Sequence, residues 1–151
     1  MSRSVSEGFG FVLAAAFILG VPSLSFAQLP AKLNTPGKAA KVSKEKVCAP
    51  GYAGSVKPIP KWQANQALTA YGLRDDSNRE VMRLIPASLG GTNDVENIWP
   101  VSDSKEWGAA QKKTLDEKLT QMVCAGSIEL KDAQDELKSN WIDAYKKHVT
   151  Q

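Results

Sequence analysis

Side chains that could do chemistry are few in this 151-residue chain, and most of them gather between Glu80 and Pro100, in EVMRLIPASLGGTNDVENIWP. Arg83 is a cation set inside a short apolar run. One use for it is to grip a phosphate or another anion, because a guanidinium matches two phosphate oxygens at once. The other is to pair with Glu80, Asp94 or Glu96, a weak arrangement when exposed. It cannot serve as a general base, since it stays protonated at any physiological pH. Glu80 and Asp94 are the carboxylates that could hold a divalent metal, whereas the thioether of Met82 does not bind hard cations. Lys112 is a second cation, either a phosphate ligand or a solvated helix lysine. Asn97 can act on a ligand or, as Asx side chains commonly do, organise turn backbone. His148, the sole histidine, falls in the last helical turn, where a cation suits the helix dipole. Cys48 and Cys124 are the only cysteines, too few for a zinc site of about four ligands without histidine partners.

These groups need a scaffold, and the local patterns supply one. Val81 to Ile85 alternates as a strand, with Val81, Arg83 and Ile85 on one face and Met82 and Leu84 on the other. Gly90-Gly91-Thr92-Asn93-Asp94 supplies a loop, and Asn97 to Val101 a returning strand. A helix capped by Ser102 or Asp103 follows to about Val123, with Trp107, Gln111, Thr114 or Leu115, Lys118 or Leu119, and Met122 on one stripe, and Gly126 as its stop. Upstream, Lys61 to Tyr71 reads as a short helix ended by Gly72. The final helix begins near Lys131 or Asp132 and has a clear buried face: Leu130, Ala133, Leu137, Trp141, Ala144 with Tyr145, and His148. Trp99 and Trp107 read as core anchors, since all four phenylalanines precede residue 27 and the domain needs large apolar residues elsewhere.

Leu84-Ile85-Pro86, Leu89-Gly90-Gly91 and Asn97-Ile98-Trp99-Pro100 together resemble the frame of small, often exported HNH-type (ββα-metal) nuclease-like proteins, whose pattern runs Asp-His-Leu-Ile-Pro-Leu-x-Leu-Gly-Gly, then Asn-Leu-Trp-Pro. The likeness extends from about Cys48 to Tyr145. It implies an α+β fold: a small hairpin-and-helix core packed with additional helices. In that family a His removes a proton from water, an Asp helps hold one divalent metal, an Asn fixes the loop and a helix residue completes the site. Here Met82 stands at the Asp position and Arg83 at the His position. Asn97 and Lys112 match the remaining two. The resemblance therefore implies the scaffold of a nuclease without its catalytic pair.

The N-terminus carries Arg3, an apolar run from Phe9 to Val21, and Ser25-Phe26-Ala27, the form of a secretory signal cut after Ala27. The run is short for a membrane span, which needs about 20 residues. Secretion or periplasmic residence follows as the expectation, and with it a Cys48–Cys124 disulfide, stabilising by about 4 kcal/mol in the chain-entropy model. Residues 28–46 hold Lys32, Lys38, Lys41, Lys44 and Lys46 against Glu45 alone and contain no aromatic residue, so a flexible basic arm is expected there. The HNH-like domain then spans 47–151. From Val47 onward 13 basic side chains meet 14 acidic ones, which argues against a dedicated duplex-DNA binder with a basic face. Three functions fit. The first is a catalytically degenerate HNH-like binding domain for nucleic acid or another anion, using Arg83 and Lys112 and needing no cofactor. The second is a metal-dependent nuclease rebuilt on Glu80 or Asp94. The third is an envelope interaction module that attaches to an anionic surface through the lysine arm.

Overall fold

Two three-residue strands form the centre of the computed structural model, which describes residues 29–74, 79–101 and 106–150. The apolar leader and the caps expected at Ser102 or Asp103 lie outside the described residues. Strands β1 (Val81–Arg83) and β2 (Ile98–Pro100) pair antiparallel, with Val81 opposite Pro100, Met82 opposite Trp99 and Arg83 opposite Ile98. Around them, among the described residues, lie five α-helices: α1 (Lys44–Val47), α2 (Tyr52–Ser55), α3 (Lys61–Ala70), α4 (Ala109–Ala125) and α5 (Leu130–His148). The fold is α+β. Helix α3 packs on the strands and α4 packs along α5. Trp99 and Trp141 are fully buried among Leu84, Leu115, Leu119 and Leu137, so tryptophan takes the volume that phenylalanine would otherwise fill. Cys48 and Cys124 are joined, with Cα atoms 5.5 Å apart, which staples α1 to the end of α4. No helix among the described residues is long and apolar enough to cross a membrane.

The loop between the strands is shaped by glycine and Asn97. Gly90 has φ +84°, and a Cβ on Gly91 would stand 1.7 Å from the Ile85 carbonyl oxygen, so only glycine lets the two backbones meet. Asn97, completely buried, closes the loop. Its Nδ2 donates to the carbonyls of Ile85 (3.0 Å) and Thr92 (2.9 Å), and its Oδ1 accepts from the amides of Ile85 (3.0 Å) and Lys38 (3.2 Å). One side chain thus satisfies four backbone groups that sheet pairing leaves over.

The lysine-rich segment departs from the expectation of a flexible arm, because residues 29–46 lie against the domain. Ala39 forms a β-bridge with Gly91, Ala40 donates to Gly90 (2.9 Å) and Thr92 donates to Lys38 (3.1 Å). Buried Thr35 donates to the Ile98 carbonyl (3.2 Å) and accepts from the Tyr71 hydroxyl (2.9 Å), which itself accepts from the Ala31 amide (2.9 Å). Composition signals disorder when a segment lacks apolar area to bury. Here backbone pairing to the glycine loop does the ordering instead, and composition does not register it.

Helices α4 and α5 each correct the expected pattern in one respect. Helix α4 starts at Ala109, after Gly108, whose amide donates to the Gln111 side chain (3.1 Å). Trp107 cannot belong to the helix because its φ is +63°, a left-handed conformation costly for a tryptophan. Its ring is held edge-on against Trp141 (6.4 Å) and Tyr145 (5.6 Å). The buried face of α4 is Lys112, Leu115, Leu119 and Val123, not the stripe through Gln111 and Met122. Gly126 ends the helix at φ +79°, as expected. Helix α5 buries Leu130, Ala133, Leu137, Trp141 and Ala144, the expected face. At Asn140, however, the backbone leaves the helix, and the side-chain oxygen accepts from the amides of Ile142 (3.0 Å) and Asp143 (3.3 Å). Asn140 therefore acts as an N-cap for a second helical segment, and the hydrophobic period runs through the break without a sign of it.

Candidate functional site

Strand β1 carries Arg83 to the edge of a cavity of about 230 Å³. Across it, α4 contributes Lys113 and Asp116, while Glu80, Met82 and Ile59 complete the walls. The guanidinium is fixed from one side. Its Nε donates to Asn93 Oδ1 (2.9 Å), and Nη2 donates to the same oxygen (2.5 Å) and to the Lys57 carbonyl (2.8 Å). Asn93 in turn donates to the carbonyls of Lys57 (3.0 Å) and Pro58 (3.1 Å), so the loop and the chain before α3 form one clamp. The two N–H groups of Nη1 bond none of the described residues.

The three acids expected to pair with Arg83 all bind other cations. Lys38 takes Asp94 and Glu96, each at 2.7 Å. These two bonds, Asp94 first, hold the Lys38 ammonium well above the ordinary lysine range, and the Lys38 bond holds the Asp94 carboxyl below the ordinary carboxylate range. Glu80 pairs with Lys113 at 3.0 Å. Among the described residues Arg83 therefore has no carboxylate partner, and burial pulls its pKa down from the ordinary arginine value, as expected when a charged form loses water. The pairing of Arg83 with Glu80, Asp94 or Glu96 is thus overturned. Sequence proximity favoured those acids, but the docked segment brought Lys38 to two of them.

Lys112 is corrected as well. It is neither a solvated helix lysine nor a group that a ligand can reach, since its side chain is 0% exposed. It bonds Asp116 one turn along the helix, and its ammonium lies 5.9 Å from the Trp99 ring centroid, within cation–π range. Burial drives the Lys112 ammonium down and the Asp116 carboxyl up to about 6, each offset in part by the other. Asp116, with 14% of its side chain exposed, lines the cavity where Lys112 does not. It is the site residue that sequence reasoning missed. The signal available was its i,i+4 spacing from Lys112, which also describes ordinary surface pairs. Asn93 was likewise passed over, as one loop residue among several.

The other candidates sort themselves by position. Met82 lines the cavity and packs on the core. Asn97 faces loop backbone through all of its polar atoms. Glu80 lines the cavity but Asp94 does not, so the two carboxylates suggested as rebuilt metal ligands are not brought together. No group of three metal-ligating side chains occurs among the described residues. His148 bonds Glu136 at 2.6 Å on the far helix. No family model matches this chain, and no curated protein or solved structure matches it.

Proposed function

We propose that this protein is an exported HNH-type scaffold whose catalytic pair has been replaced and whose cleft binds an anion, with a phosphate group of a nucleic acid or a smaller molecule as the ligand class. The observation that carries this is the state of Arg83: clamped by Asn93 and Lys57, without a carboxylate partner among the described residues, and with both Nη1 donors bonded to none of them beside a cavity. A cation immobilised in advance loses little entropy on binding, and each Nη1 N–H can donate one charge-assisted hydrogen bond to a phosphate oxygen. Lys113, exchanging Glu80 for the ligand, supplies a second charge at the rim. The absence of His and Asp at positions 83 and 82 argues against metal-assisted hydrolysis by the family's route.

Titration calorimetry with pyrophosphate and with a single-stranded oligonucleotide tests the site. Wild type should bind, more weakly as salt rises, and Arg83→Met should weaken binding by about tenfold or more. No binding by wild type, or equal binding by Arg83→Met, would overturn the assignment. Plasmid and single-strand incubations with Mg²⁺ or Mn²⁺ should leave the substrate intact, and cleavage would instead favour a rebuilt nuclease. In a separate arm, Met82→Asp with Arg83→His should introduce metal-dependent nicking if the scaffold is of the HNH type.

A further inference from the structure

Helix α3 presents a second face that the Arg83 cavity does not use. Its buried side is Ala67 and Leu68. On another side Trp62, Asn65, Gln66, Thr69 and Ala70 follow one another at i, i+3, i+4, i+7 and i+8, the spacing of a single stripe. With Val95 they line a shallow depression of about 570 Å³. Trp62 is 61% exposed. An indole left this far in water forgoes the burial that normally retains a tryptophan in a fold.

The polar groups around the ring select its ligand. The side-chain amides of Asn65 and Gln66 make no hydrogen bond with any described residue, so each offers a donor NH₂ and an acceptor carbonyl to solvent. Thr69 donates its hydroxyl to the Asn65 carbonyl (2.9 Å) and keeps acceptor capacity. Among the described residues no charged side chain lines the depression. Single-stranded nucleic acid is held by stacking together with cations along its backbone, and no described residue supplies such a cation to this depression. A proline-rich peptide seeks an aromatic-lined groove and an amphipathic helix seeks an apolar one, while this face is a shallow depression that sets one ring, Ala70 and Val95 beside Asn65, Gln66 and Thr69. A pyranose chain meets the conditions: it has an apolar C–H face, vicinal hydroxyls that both donate and accept, and no charge.

We infer that the Trp62 face of α3 binds a neutral saccharide chain, with the indole covering one sugar ring and the Asn65 and Gln66 amides bonding its hydroxyls. The two sites share no described lining residue.

Fluorescence titration with N-acetylglucosamine hexasaccharide and with cellohexaose tests the inference, because Trp62 is far more exposed than buried Trp99 and Trp141. At least one saccharide should shift the emission to the blue in a saturable way. Trp62→Ala should weaken that binding by about ten- to a hundredfold, the equivalent of losing a buried ring. Gln66→Ala should weaken it less, and Trp62→Tyr should retain most of it. Because Trp62 is exposed, the Ala variant should melt with wild type, which excludes unfolding as the cause. Failure of wild type to bind either saccharide overturns the inference, as does unchanged affinity in Trp62→Ala. Binding of a twelve-residue oligothymidylate that is lost in Trp62→Ala also overturns it, by making the face a base-stacking surface.

Discussion

Asp116→Ala is expected to destabilise the domain by about 3–5 kcal/mol at neutral pH, the cost of leaving a buried cation without its partner. Lys112 is fully enclosed, so it must either stay charged against Trp99 or give up its proton. The reciprocal change, Lys112→Met, should behave differently, because a carboxyl group can neutralise itself near physiological pH. Asp116 has its pKa raised from 3.8 to about 6 by burial, with Lys112 pulling the other way. A carboxyl raised on folding contributes stability that is present below about pH 4 and is lost as pH rises through the folded value. Removing Lys112 removes the pull, so the folded value rises further. The cost of Lys112→Met should therefore be small near pH 4 and grow towards pH 8, and that of Asp116→Ala should be largest above about pH 6, where Asp116 is ionised, and smaller near pH 4, where its neutral carboxyl already leaves Lys112 without an anion. Combining Lys112→Met with Asp116→Leu should restore stability close to wild type and flatten the pH dependence, since apolar replacement of a buried pair is often neutral or better. Urea denaturation of the four proteins from pH 4 to 8 decides the matter. Single variants as mild as the double would mean that the pair is hydrated and that its enclosure has no energetic consequence.

Asn97→Ala should cost about 3–5 kcal/mol, since buried polar groups deprived of partners cost about 1–3 kcal/mol each. Of the four groups it serves, the amide and carbonyl of Ile85 bond it within the core, and the Lys38 amide ties the N-terminal segment to the loop. Hydrogen exchange should accelerate at Ile85 and at Lys38 together, which a mere loss of side-chain volume would not produce. Asn97→Asp should be at least as damaging at neutral pH, because a carboxylate would face the Ile85 and Thr92 carbonyls that now accept from Nδ2. Protonation would restore one donor, so this variant should regain stability as pH falls. If Asn97→Asp were as stable as wild type at pH 7, the loop would not depend on these donors.

Asn97 illustrates what local sequence carries well. A polar residue bounded by a glycine loop and an apolar strand has few uses other than satisfying backbone, and it does so here. The strand pair, the α3 helix, the Gly126 stop and the buried face of α5 are similarly local, because each follows from side-chain period or from a residue that only one backbone geometry tolerates. The Cys48–Cys124 bond follows from there being one pair to make.

Charge pairing is not local. Asp94 and Glu96 are near Arg83 in the chain, yet they bind Lys38, more than 50 residues upstream. Lys112 has the same residue type whether its helix turns it to water or to Trp99, and it is buried because it shares the face of Leu115, Leu119 and Val123 that packs inward. From the sequence alone come the strand pair, α3, the body of α4, α5 and the glycine loop around Asn97. Only the tertiary structure decides that Arg83 lies beside a cavity and that Lys112 is enclosed against Asp116 and Trp99, because the free energy of an ion depends on which distant groups share its desolvated space.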